Sequence, residues 1–126
     1  MPARIARPIF LNPLKIGLPV GALTSILHRI TGVLMAVTLP VAVYLLGQSL
    51  KDDAGYGEVT ALFSHWAVKS LIVVMVWTLA HHVLAGVRHL LMDVDMGSPL
   101  HAARRSAWAV NLGGVTVALL VASVLL

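Results

Sequence analysis

The stretch Ala80-His81-His82-Val83-Leu84-Ala85-Gly86-Val87-Arg88-His89-Leu90-Leu91-Met92-Asp93 closes an apolar run that begins at Leu71. That run predicts a membrane-spanning helix. Its two adjacent histidines then lie about two turns inside, counting back from Arg88 at ~1.5 Å per residue. An ionisable residue at that depth is costly without a partner, which marks a functional site. Neutral imidazole inside a bundle ligates a metal or haem, or handles protons. The plainer alternative is a histidine hydrogen-bonded to a neighbouring helix as packing glue, worth ~1 kcal/mol. This stretch alone leaves both open.

Composition supports the membrane reading. The 126 residues are 59% hydrophobic and 11% charged, with a mean hydropathy of +0.92, whereas soluble domains run near a quarter charged. A pI near 10.1 could suggest nucleic acid. The nine Lys and Arg residues flank apolar runs instead, as in membrane topology, so no nucleic-acid partner is expected. Cysteine is absent, which excludes disulfides, thiolate nucleophiles and cysteine-ligated iron–sulfur clusters. The basic N-terminus is read as retained. The apolar run behind it is interrupted by His28-Arg29, continues too far for a signal segment, and ends at no A-x-A-like site.

Working outward, residues 1–19 form a basic arm with Arg4, Arg7 and Lys15. From Ile30 to Leu50 no residue is charged, long enough to cross a ~30 Å hydrocarbon core. Pro40 predicts a kink there. Lys51 to Gly57 is a polar turn, and Glu58 to Lys69 can be helical with Trp66 at the interface. Asp93 to Ser106 reads as a second polar connection broken at Gly97-Ser98-Pro99. In the last span Gly114, Ala118 and Ala122 make a small-residue stripe suited to close helix contact. The expectation is an all-α membrane protein, one transmembrane domain of three helices near 23–50, 66–91 and 106–126 in an up-down-up bundle. Seven of the nine basic residues fall on the side of the N-terminus and the second connection, leaving Lys51 and Lys69 opposite. The N-terminus is therefore expected in the cytoplasm.

His82, Gly86 and His89 share one face of the middle span at i, i+4 and i+7. Gly86 removes a side chain that would block a flat macrocycle against the helix. Two positions on one helix lie on one side of such a ring, so the two histidines cannot both be axial ligands of one iron. Of the others, His28 and His89 are placed near the cytoplasmic boundary, His65 near the opposite one and His101 in a loop. None shares the depth of His82 on another helix, so if His82 binds haem, a second axial ligand must come from another subunit. His81 points about 100° away and is expected at a helix contact or the lipid boundary. In the first span Ser25 and Arg29 stand at i and i+4. A hydroxyl and a guanidinium there can bind a carbonyl oxygen and stabilise charge developing on it, as a lipid-soluble quinone requires. Arg29 can instead serve as a snorkelling topology anchor. His28 and Arg29 are also at the level to meet haem propionates.

Arg7-Pro8, then Ser25-Ile26-Leu27-His28-Arg29-Ile30-Thr31-Gly32, then His82-x3-Gly86-x-Arg88-His89-x3-Asp93, together resemble the cytochrome b subunits of succinate dehydrogenase. The motifs cover about a third of the chain, in the expected order. The resemblance implies that His82 is an axial ligand of haem b, shared with a second small membrane-anchor subunit that completes the bundle. It implies that Ser25 and Arg29 line a ubiquinone site beside an iron–sulfur subunit. A flavoprotein subunit would oxidise succinate, so this chain would carry no catalytic residue of that step and would act as an electron-transfer subunit in a bacterial inner membrane. The segment between Pro8 and Ser25 lacks the Ser-Pro-His element of longer members. The alternatives are the anchor of a fumarate reductase, which needs the same groups, and a three-helix scaffold or transport subunit without redox function.

Overall fold

The computed structural model describes residues 17–126. The expected arm, with Arg4, Arg7, Lys15 and the Arg7-Pro8 pair, lies outside the described residues. Among those described the chain is all-helical: α1 (Val20–Ser49), α2 (Asp53–Ser64), α3 (Trp66–Asp93) and α4 (Leu100–Leu125). The helices α1, α3 and α4 are long and apolar enough to cross a membrane. Their 30, 28 and 26 residues exceed the ~20 that a bilayer core requires.

Each boundary has a local cause. Extended backbone at Pro19 (φ −63°, ψ 148°) precedes α1, and its carbonyl accepts from the amide of Ala22 at 2.9 Å. The helix continues through Pro40. Two residues ahead of that proline, Thr38 Oγ1 donates to the Leu34 carbonyl at 2.7 Å and lies 3.1 Å from Met75 Sδ on α3. The Asp52 carboxylate caps α2 by accepting from the Gly55 amide at 2.7 Å, a standard N-terminal cap. Only glycine fits at position 55, because a Cβ there would collide with the Gln48 carbonyl.

Two boundaries differ from the sequence reading. The helix expected over 58–69 starts earlier, at the Asp52 cap, and stops at His65. Extended backbone there (φ −67°, ψ 131°) both ends α2 and begins α3. The second connection is only residues 94–99, turned by Asp95 (φ 61°) and Gly97 (φ 79°). Arg104 and Arg105 therefore ride on the first turns of α4, and His101 lies on a helix. The breaker at Gly97-Ser98-Pro99 is the true end of the loop, since Ala102 and Ala103 beyond it favour helix.

α3 packs between α1 and α4, and α2 lies against α1 and α3. The seam is made of small and polar residues: Thr24 and Thr31 of α1, Thr78, His81, Ala85 and Arg88 of α3, and Ala107, Val110 and Gly114 of α4. Large apolar side chains such as Val33, Leu39, Leu90 and Leu119 face outward. This inverts the soluble pattern and is what helices in lipid do, since lipid tails solvate leucine as well as a core would. Gly114 sits at a close approach of α4 to α3, where a Cβ would meet the His81 Cβ at 3.2 Å.

Candidate functional site

The inward face of α1 carries Thr24, His28 and Thr31 at i, i+4 and i+7. Opposite His28 and Thr31 stands His82 of α3. Its Nδ1 lies 3.1 Å from the His28 carbonyl oxygen and 3.3 Å from Thr31 Oγ1. Thr31 Oγ1 donates to that same carbonyl at 2.9 Å. A carbonyl only accepts, so this contact assigns the His82 proton to Nδ1. Nε2 then keeps its lone pair, and it makes no hydrogen bond among the described residues. That is the usual state of a ligating histidine, whose second nitrogen is fixed by a backbone carbonyl. The residues present therefore fit an axial ligand at His82.

The His28 ring stacks on His82 with centroids 4.3 Å apart and planes at 20°, and it lies 5.1 Å from the His89 ring at 49°. His28 is thus at the depth of His82, not at the boundary where residue counting put it. α1 begins at Val20, which places His28 two turns into the helix, and the α1–α3 contact sets it level with His82. Stacked rings lie face to face, whereas two axial ligands aim their nitrogens at each other across an iron. In this arrangement His28 is therefore not the second ligand of His82. The three rings cluster, yet among the described residues no group of three or more His, Cys, Asp or Glu side chains is arranged to hold a metal ion by itself.

The glycines act differently from the sequence expectation. The space beside Gly86 is taken by His28, whose Nε2 would lie 3.5 Å from an added Cβ. The tighter clearance is on α1, where a Cβ at Gly32 would come within 3.1 Å of His82 Cε1.

His81 faces the other way and is fully buried, a helix contact rather than a lipid-boundary residue. Its Nε2 lies 3.1 Å from Asn111 Oδ1 on α4. Thr24 Oγ1 reaches the same oxygen at 3.1 Å and the Val20 carbonyl at 3.0 Å. The Trp77 ring lies 5.6 Å from His81. His81 Nδ1 and Thr78 Oγ1 are buried with no hydrogen-bond partner among the described residues.

Arg88 is also buried, 8% exposed. Its Nε donates to Ser106 Oγ at 3.0 Å and its guanidinium donates to the Ala103 carbonyl at 3.1 Å, tying α3 to the start of α4. Ser25 is half-buried and Arg29 exposed, and neither side chain makes a hydrogen bond among the described residues. They stand one residue along from Thr24 and His28, hence on a face turned about 100° from the helix seam.

Sequence reasoning missed Thr24, Ser106 and Asn111, and it quoted Thr31 and Gly32 in a motif without giving either a role. One signal was available: Asn111 is a lone amide in an uncharged span, and a polar side chain at that depth seeks a partner.

A family model described as "Succinate dehydrogenase/Fumarate reductase transmembrane subunit" matches residues 3–122. A protein of Coxiella burnetii named "Succinate dehydrogenase cytochrome b556 subunit" is 31% identical over 106 residues, covering 82% of this chain and 84% of its own. One of the same name from Paracoccus denitrificans is 29% identical over 103 residues, covering 82% and 79%. Another, from Rickettsia prowazekii, is 29% identical over 101 residues, covering 80% and 78%.

Proposed function

The chain belongs to the succinate dehydrogenase/fumarate reductase transmembrane subunit family, and from that premise we propose that it anchors a succinate dehydrogenase, shares a haem b with a partner anchor and helps to bind the quinone. The observation that carries this reading is the His82 imidazole, fixed through Nδ1 at 3.1 Å on the His28 carbonyl with Nε2 left as a donor to iron. Relatives named succinate dehydrogenase cytochrome b556 subunit support haem b as the group. They also favour succinate oxidation over the reverse direction.

Bound there, the haem would supply a one-electron centre between the helices. This chain's own residues do the rest. The His28 carbonyl and Thr31 hold the His82 ring in one tautomer and orientation. Gly32 leaves room for that ring. A second ligand would come from the second small anchor subunit, a reading supported by the stacking of the His28 ring on His82, which leaves His28 Nε2 turned away from the His82 nitrogen. His28 and Arg29, adjacent on α1, would contact the haem propionates.

Ser25 and Arg29, on the exposed face beside this seam, act on ubiquinone. The Ser25 hydroxyl donates to a quinone carbonyl, and Arg29 stabilises the negative charge that develops as electrons arrive. Two electrons from the iron–sulfur subunit and two protons from the aqueous side complete the quinol. The flavoprotein subunit oxidises succinate, and this chain carries none of that step.

The transmembrane domain lies in the bacterial inner membrane with its N-terminus in the cytoplasm. The seven basic residues at that end, against two at the other, support this orientation.

The test is His82→Leu in the assembled complex. Loss or a large shift of the low-spin haem spectrum is expected, and an unchanged spectrum would overturn the reading.

A further inference from the structure

His81 and His82 are neighbours in sequence and point to different helices, because successive side chains on a helix are set about 100° apart. His82 meets α1 at Thr31 and the His28 carbonyl. His81 meets α4 at Asn111, and Asn111 in turn meets Thr24 of α1. Thr24 stands one turn from His28 on the same face of α1. The three helices are thus joined by a chain of polar contacts, in which His82 is the link from α3 to α1 and its neighbour His81 the link from α3 to α4.

We propose that His81, through Asn111 and Thr24, is a positioning residue that fixes the rotation of α3 and so the direction in which His82 Nε2 points. This rests on the reading of His82 as an axial ligand.

Three observations carry it. First, the outer surfaces of the helices are aliphatic and exposed, and lipid gives such a surface no preferred rotation. Angular order must come from directional contacts at the seam. Second, small rotations matter. A helix with side chains is 10–12 Å across, so turning α3 by ~10° carries an atom at ~6 Å from its axis through ~1 Å, beyond the ~0.5 Å tolerance of an organised site. The Arg88 contacts to Ser106 and Ala103 act through a long, flexible stem two turns away. They restrain the spacing of α3 and α4 better than the rotation of α3.

Third, His81 is poorly explained as filler. It is fully buried, yet Nδ1 has no hydrogen-bond partner among the described residues. An apolar side chain would fill this space without leaving a buried polar atom unpaired. Its directional hold comes through Nε2 and Asn111. The close approach at Gly114, 3.2 Å from an added Cβ to His81 Cβ, keeps the ring against α4 where Asn111 can reach it.

The test uses the whole complex with haem bound and compares His81→Phe, Asn111→Leu, Thr24→Val and Thr24→Ser. Three quantities are read: the haem midpoint potential, the low-spin electron paramagnetic resonance g values, and the rate of haem loss to an apoprotein acceptor. His81→Phe and Asn111→Leu are expected to shift the g values and potential in the same direction and to release haem roughly tenfold faster. The double variant should match either single one, since both break the same chain. Thr24→Val should give a smaller shift, and Thr24→Ser, which keeps the hydroxyl, should match the parent.

If His81→Phe fails to assemble, Asn111→Leu and Thr24→Val decide the matter, because they break the chain without touching the His81 ring. Unchanged g values and potential in these variants would overturn the proposal even if thermal stability fell, while loss of the spectrum in His82→Leu would still uphold the ligand. An unchanged spectrum in His82→Leu would overturn both.

Discussion

The imidazole of His82 on α3 is held by the backbone carbonyl of His28 on α1, Nδ1 to oxygen 3.1 Å, while the His28 ring stacks on it at 4.3 Å. The two contacts separate by mutation, because the first uses main chain and the second a side chain. His28→Ala removes the stacked ring and keeps the carbonyl. It should therefore retain the low-spin haem with a shifted potential, whereas His82→Leu should lose or strongly shift the spectrum and His81→Leu should keep a low-spin form. Difference spectra of membranes carrying each variant check this. Loss of haem in His81→Leu with retention in His82→Leu would mean that the wrong neighbour has been assigned.

A second prediction concerns the two glycines at this site. An added Cβ at position 32 would stand 3.1 Å from His82 Cε1, inside ordinary contact, while one at position 86 would stand 3.5 Å from His28 Nε2. Gly32→Ala should displace the His82 ring and change the haem spectrum, and Gly32→Val should do so severely. Gly86→Ala should be mild. Optical spectra and haem-to-protein ratios of the purified complexes test the ranking, and equal effects at both positions would contradict it.

The helices were legible in sequence because hydropathy and the placement of nine basic residues constrain membrane spans strongly. The ends were less so. Arg104 and Arg105 look like loop residues, yet a helix can carry charge into the membrane at its first turns. Asp52 starts α2 through a cap that composition does not weigh. Of the proposed site, Ser25 and Arg29 were singled out by residue type and spacing, and His82 by its depth and the family resemblance. The partners of His81 and His82 could not, because which helix each one faces depends on rotation about axes whose apolar outer surfaces carry little pattern. The depth of His28 was misjudged for a related reason: its level is set by how α1 lies along α3, where the His28 carbonyl meets His82, and counting residues within one helix does not reveal that.

Arg88 makes a third prediction. Its two hydrogen bonds, 3.0 Å to Ser106 Oγ and 3.1 Å to the Ala103 carbonyl, need the forked geometry of a guanidinium, which lysine lacks. Arg88→Lys should destabilise the α3–α4 pair by ~1–3 kcal/mol, and Ser106→Ala by less, since one contact survives. Thermal unfolding of the purified complex reads both. Equal stability of Arg88→Lys and the parent would reduce Arg88 to a charge that orients the chain.

Topology gives a fourth. Reporter fusions placed after Asp53 and after Leu126 should both report the outer side, given the charge asymmetry. Either one in the cytoplasm would reverse the orientation and move Ser25 and Arg29 away from the soluble subunits.

The last prediction decides what Ser25 and Arg29 do. They lie one turn apart on α1, and neither makes a side-chain hydrogen bond among the described residues, unlike Thr24 and Thr31 beside them. Residues that make no hydrogen bond between helices should be dispensable for the bundle. If Arg29 only anchors the helix at the membrane surface, Arg29→Lys is nearly silent, because either side chain snorkels. If it stabilises charge on a quinone, the planar guanidinium matters and lysine replaces it badly. Ser25→Ala and Arg29→Lys should then each lower quinone reductase activity roughly tenfold or more, the change that ~1.4 kcal/mol of transition-state stabilisation produces. Assembly, haem content and succinate oxidation with a soluble artificial acceptor should survive, since those steps do not pass through this face of α1. A parallel fall in both activities would make the residues structural and would remove the quinone assignment from them.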